Sequence, residues 1–160
     1  MKWFMDYYHA LEQRNLKEKR TQEIIQNIKN NENIEQALND AKEVCEPGEF
    51  LKFVLIATLK SLDVTKLGIT SCQTQFENII PYLKPMINSV QLQGEVVDTL
   101  MKECYENPIL QDMFKPCMMS LYKAQVVDGN VIIAWYERAQ GNGKVAFGKQ
   151  MFKFVEWLKE

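Results

Sequence analysis

Histidine occurs once in these 160 residues, at His9. With no partner motif around it, that imidazole makes a poor general base or metal ligand. The four cysteines, Cys45, Cys72, Cys104 and Cys117, are scattered. None forms a C-x-x-C pair, which excludes the common zinc-knuckle and dithiol redox patterns. No glycine-rich phosphate loop and no G-x-S-x-G elbow is present. No apolar run approaches the roughly 20 residues that span a bilayer, and the start of the chain shows no leader pattern. Scattered thiols then imply a reducing compartment, and the expected location is the cytoplasm. Charge of one sign is missing as well. The formal net charge is −2, with acids and bases spread evenly over the two halves, which disfavours direct nucleic-acid binding. No cofactor, no metal and no catalytic residue is expected.

What remains is an ordinary globular composition, with 46% apolar and 25% charged residues. A chain of this length buries enough surface to fold without staples. Helical periodicity dominates and hairpin signals are nearly absent. Segment 1–15 spaces Trp3, Phe4, Tyr7, Tyr8 and Leu11 by threes and fours as one helix face. Segment 17–30 is polar around Ile24, Ile25 and Ile28, and Asn30-Asn31 breaks it. A short helix follows with Ile34, Ala37, Leu38 and Ala41. Pro47-Gly48 is the clearest internal boundary, readable as a sub-boundary or as a turn between helices.

Segment 49–62 is apolar nearly all round, as a central buried helix would be. Gly68 and Ser71 mark another break, and Pro81 predicts a kink or early stop in segment 72–84. Glu95 to Glu106 reads as an amphipathic helix. Asn107-Pro108 reads as a cap opening a helix through Leu121, kinked at Pro116. Asp128 is a good N-cap for the helix that carries Trp135, and Gly141-Asn142-Gly143 ends it. The last helix covers about 146–159, with Phe147, Met151, Phe154 and Leu158 on one face. The sum is about eight or nine helices joined by short turns. The expected fold is all-α, with stacked antiparallel helix pairs in a HEAT/ARM-like solenoid filling 1–160 as one domain.

The last third is the informative part. It holds E-C-Y-E-N at 103–107, L-Y-K-A-Q-V-V at 121–127, I-I-A-W-Y at 132–136 and F-V-E-W-L-K at 154–159. From Leu100 to the end this order of aromatic, acid and turn resembles the W2 domain of basic-leucine-zipper and W2-domain proteins, the mimics of eukaryotic initiation factor 5. Upstream of residue 95 the similarity is only generically helical. Members of that family are much longer, so the resemblance implies a C-terminal domain of a longer protein or a shortened member.

The resemblance implies a protein-interaction adaptor in translation initiation, a monomer with no enzymatic activity. Its implied partners are initiation factor 2, through lysine-rich segments of the beta subunit, and initiation factor 3. By occupying them it would compete with initiation factor 5 and tune start-codon selection. Two alternatives stand beside this: the exchange-factor end of the initiation factor 2B epsilon subunit, and a helical scaffold unrelated to translation.

The partner-binding residues so implied are Tyr122, Asp128, Trp135, Tyr136, Glu137, Glu156, Trp157 and Glu160. An indole beside a carboxylate can receive a cationic side chain on its ring face. The competing reading makes both tryptophans core residues, Trp135 with Ile132 and Ala139, Trp157 with Phe154. Glu156 and Glu160 are like charges one helical turn apart, a cost that a basic partner would relieve. The bland reading of these acids is a solvated face beside Lys153. The run Lys17, Lys19 and Arg20 reads as solvated, and Met113, Met118 and Met119 read as core filling. Two departures from the family are visible. Gly129 and Asn130 stand where it carries an acidic pair, and its acidic tail after the last helix has no counterpart before Glu160.

Overall fold

The computed structural model describes residues 2–46, 48–141 and 145–160. It is all-α, with a HEAT-like stacking of helix pairs. The helices are α1 (Lys2–Asn30), α2 (Ile34–Lys42), α3 (Phe50–Lys60), α4 (Val64–Leu67), α5 (Ile69–Leu83), α6 (Val90–Glu106), α7 (Phe114–Lys123), α8 (Gly129–Gly141) and α9 (Val145–Lys159). Two 3₁₀ turns, Lys84–Met86 and Pro108–Met113, lead out of α5 and into α7.

The two segments expected before Asn31 are one helix. Nothing between Tyr8 and Ile24 is glycine or proline, and good helix formers from Leu16 to Arg20 carry the turn through. At 29 residues α1 extends about 43 Å. Its partners α2 and α3 have only 9 and 11 residues, so its first half overhangs them. Residues 2–14 are therefore exposed, and Trp3, Phe4, Tyr7 and Tyr8 contact one another edge-on instead of a core. Asn31 and Asn33 adopt left-handed backbone angles in the turn to α2, which asparagine tolerates better than most residues.

Helix α3 is the central element anticipated from its composition. It packs on α1, α2, α5 and α6 and buries Phe50, Val54, Leu55, Ala57, Thr58 and Leu59. Its two buried hydroxyls satisfy themselves locally: Thr58 Oγ1 donates to the Val54 carbonyl at 2.8 Å and Ser61 Oγ to that of Thr58. Of the Pro47-Gly48 turn only Gly48 is described. Residues on both sides of it share one hydrophobic cluster that runs from Ile24 to Val155.

The prolines act differently from expectation. Helix α5 runs two residues past Pro81 before tightening into the 3₁₀ turn. Asn107 caps as expected, its side chain accepting from Ile109 N–H at 3.2 Å, but it opens the 3₁₀ turn first. Pro116 then falls in the first turn of α7, where a missing N–H breaks no helical bond, so it makes no kink. Helix α6 starts at Val90, with Ser89 accepting from Leu92 N–H, and runs through Gly94. The end of α8 at Asn142-Gly143 lies outside the described residues.

All four cysteines are free, and burial raises every thiol above its ordinary value. Cys104 is pushed to about 12 and Cys117 well above 9.0. Less thiolate at a given pH means slower alkylation. Half-buried Cys45 should react first in the native protein at pH 8, with Cys72, Cys104 and Cys117 modified only after unfolding. Mass mapping of timed iodoacetamide labelling checks the order; early modification of Cys117 would contradict the packing described.

Candidate protein-interaction surface

The two C-terminal tryptophans have opposite fates. Asp128 precedes α8 and its carbonyl accepts from Val131 and Ile132 N–H, which starts the helix. Its side chain is engaged elsewhere: Gln93 of α6 donates to the carboxylate at 3.4 Å and accepts from the Asp128 backbone N–H at 2.9 Å. From that fixed start Ile132, Trp135 and Ala139 point inward. Trp135 is 2% exposed, with its ring centroid 4.9 Å from Phe114. Phe147 of α9 packs on Phe114 at 4.7 Å. The indole N–H points at Met101 Sδ, 3.1 Å away. Trp135 is a core residue and offers no ring face to a partner.

Trp157 is 56% exposed. Helix α9 buries Phe147, Met151, Phe154 and Val155, and Trp157 lies beyond that stripe. It stacks on Phe154 at 5.9 Å and 17°, and Tyr122 of α7 meets its edge at 5.9 Å and 90°. Between α7 and α9 these rings line a groove of about 380 Å³ with Met119, Lys115, Lys123 and Lys153. The charge beside the exposed indole is thus basic. Glu156 lies 3.9 Å from Lys159, and Glu137 and Glu160 are exposed, but none lines this groove. Tyr136 is half-buried against the core. The eight candidates therefore form no single box: the structure brings Tyr122 and Trp157 together and places Trp135 inside.

A second groove, of about 530 Å³, lies between α3 and α6. Glu49, Glu95 and Asp98 line it, with Lys52 as the lining cation among the described residues and Leu51, Phe53 and Ile56 as its apolar wall. Asp98 is also approached by Arg138 of α8 at 3.8 Å, an exposed pair. Sequence reading missed this site because it depends on α3 meeting α6, which no local pattern announces. The basic α7–α9 groove was missed too, with Met119 expected as core filling: Lys115, Met119 and Tyr122 share one helical face, as do Lys153 and Trp157, but only the packing of α7 on α9 joins the two sets.

A Cβ at Gly129 would lie 3.4 Å from Leu158 Cδ2 and 3.6 Å from Tyr122 Cε2, ordinary van der Waals contact, so the start of α8 lies close to α7 and α9 without demanding glycine. Among the described residues, no cluster of three or more His, Cys, Asp or Glu could hold a metal ion, and no helix is long and apolar enough to cross a membrane.

Residues 92–160 match the family W2, described as eIF4-gamma/eIF5/eIF2-epsilon. Over that segment the chain is similar to W2 domains. The match begins in α6 and takes in α7, α8 and α9, so it includes the two C-terminal tryptophans, both walls of the α7–α9 groove and the α6 wall of the other. The chain is 36% identical over 91 residues to eIF5-mimic protein 2 of Homo sapiens, covering 52% of this chain and 22% of that protein. It is 37% identical over 91 residues to eIF5-mimic protein 2-A of Danio rerio, with the same coverage. It is 31% identical over 84 residues to protein krasavietz of Drosophila melanogaster, covering 52% and 20%. The chain thus spans about a fifth of the length of these relatives. No solved structure gives a significant match.

The different burial of the W2 tryptophans fixes what substitution should do. Trp135→Ala opens a cavity in the aromatic core and should cost about 3–5 kcal/mol. Trp157→Ala removes a half-exposed ring from one stack and should cost about 1 kcal/mol. Urea unfolding of both variants tests this. Equal losses would mean that Trp157 is structural as well.

Proposed function

We propose that this chain is a non-catalytic adaptor of translation initiation, acting as a monomer in the cytoplasm, with 1–160 working as one unit. Its main partner in this reading is initiation factor 2, gripped at lysine-rich segments of the beta subunit, with initiation factor 3 as a second contact. Occupying these surfaces competes with initiation factor 5 and so tunes start-codon selection. The W2 match and the relatives named eIF5-mimic support the reading. A mimic needs no chemistry of its own, only the same contacts.

The observation that carries the electrostatic part is the α3–α6 groove. Glu49, Glu95 and Asp98 beside Phe53 provide carboxylates for lysine ammonium groups and an apolar wall for their methylene stems. The exposed acids Asp128, Glu137, Glu156 and Glu160 add to the field that steers a basic segment. Trp157 and Tyr122 enter this reading as a separate contact, since their groove is rimmed by lysines.

The test is a titration of the full chain with the lysine-rich segment of the beta subunit at two salt concentrations. Binding should saturate and weaken as salt rises. Paired charge reversal, Glu95→Lys with Asp98→Lys, should weaken it by about tenfold or more. Asn130→Asp should tighten it by about twofold, since Asn130 is exposed in the first turn of α8 where a carboxylate also suits the helix dipole. Absence of binding at low salt sinks the proposal, and acceleration of nucleotide release from initiation factor 2 would replace the adaptor with an exchange factor.

A further inference from the structure

The groove between α7 and α9 has the opposite character from the one between α3 and α6. Its lining is Met119, Tyr122, Phe154 and Trp157, closed at the rim by Lys115, Lys123 and Lys153, with no carboxylate among them. The chain as a whole is acidic, so three lysines around one apolar groove run against its average. We propose that this groove is a second docking site, for a peptide segment in which carboxylates flank large apolar side chains.

Each part of that recognition has its place. The groove volume of about 380 Å³ lies near the lower end of ligand-sized pockets, about 300–1,000 Å³. That suits one or two apolar side chains of an extended or helical segment. The receptor rings are already set: Phe154 is 8% exposed and holds Trp157 by stacking, while Tyr122 fixes its edge. Little side-chain freedom is lost on binding, which favours anchoring by a buried apolar group. Met119 supplies a wall that can adapt to the incoming shape. The backbone of α7 at this point is pinned, because Lys115 N–H donates to Gln150 Oε1 of α9 at 2.8 Å and Gln150 donates back to the Gln111 carbonyl at 3.0 Å. The lysine side chains then present their ammonium groups around a fixed apolar floor, where they favour carboxylates and repel a lysine-rich segment.

Single-stranded RNA also meets lysines and aromatic rings in many sites. Here the geometry favours the peptide. Base stacking along a strand needs successive open ring faces, and here only Trp157 is exposed, with Phe154 buried and Tyr122 half-buried. Beyond the rim, the acids Glu156 and Glu160 interrupt any continuous basic path for a phosphate backbone.

The experiment is fluorescence anisotropy of the full chain with a labelled synthetic peptide in which glutamate alternates with phenylalanine and leucine. The same peptide with lysine in place of glutamate, and an oligouridylate, serve as competitors. The acidic peptide should bind saturably, and neither competitor should displace it. Lys123→Glu with Lys153→Glu should weaken binding by about tenfold or more, as should Trp157→Ala. Circular dichroism confirms that each variant keeps its fold; the lysine pair is exposed and carries the test should Trp157→Ala unfold. The Glu95→Lys and Asp98→Lys pair, at the other groove, should leave acidic-peptide binding unchanged. Failure of this proposal is therefore separable from failure of the lysine-segment reading. Absence of binding, binding indifferent to the lysine reversals, or displacement by the lysine peptide or by RNA would each overturn it.

Discussion

Everything at the C-terminal end depends on one aromatic contact set: Phe114 of α7 packed against both Trp135 of α8 and Phe147 of α9. Three helices converge on a ring cluster that excludes water, and the largest ring finds its N–H a soft acceptor in Met101 Sδ. Because Phe114 carries Trp135 on one contact and Phe147 on the other, α9 must lie where Phe147 can reach Phe114. That fixes the axial position of α9, and with it the place of Phe154 and Trp157 two and three turns further on. The exposed surface at Trp157 is in this sense a consequence of the buried one at Trp135.

Polar staples then set the angles that apolar packing leaves soft. Three glutamine side chains do most of this work across long sequence separations. Gln73 of α5 donates to the Pro116 carbonyl and to Ser120 Oγ, and Ser120 donates in turn to Glu77, locking α5 against α7. Gln93 of α6 clamps Asp128 at the start of α8. Gln150 of α9 satisfies an orphan N–H in the first turn of α7. An amide both donates and accepts, so one side chain can hold a helix end from two sides. These residues look like ordinary polar surface in the sequence. Their meaning lies only in which helix end they face.

That difference marks how far the sequence could be read. Helix positions followed from local rules: Asn107 and Asp128 stand where caps were expected, the apolar α3 is central, and Phe147, Met151 and Phe154 form the inner stripe of α9. The errors were tertiary. The aromatic face of Trp3, Phe4, Tyr7 and Tyr8 had the spacing of a core stripe, but α1 is longer than what it packs on, and periodicity says nothing about partner length. Pro116 read as a kink because the 3₁₀ turn before α7 was not foreseen, which put the proline in a first turn. For the two tryptophans, motif similarity treated equally what burial separates. An indole one turn from an apolar residue is compatible with either side of the helix, and only the position of α7 decides.

The charge pattern has the same origin. Acids and bases are nearly balanced along the chain, so no segment looks like a binding stripe. Folding sorts them: α3 and α6 bring Glu49, Glu95 and Asp98 together, while α7 and α9 bring Lys115, Lys123 and Lys153 together. Each set sits on an apolar wall, where carboxylates or ammonium groups act at short range with less screening than on an open surface. A chain of net charge −2 can thereby present two local fields of opposite sign and discriminate between a basic and an acidic segment. The W2 segment supplies one wall of the first groove, α6, and both walls of the second, α7 and α9. Upstream of that segment, α3 and the turn before it complete the first groove and have no part in the second. An isolated W2 segment would therefore lose Glu49 and Phe53 while keeping every residue around Trp157, which ties acidic-groove recognition to the presence of the N-terminal helices.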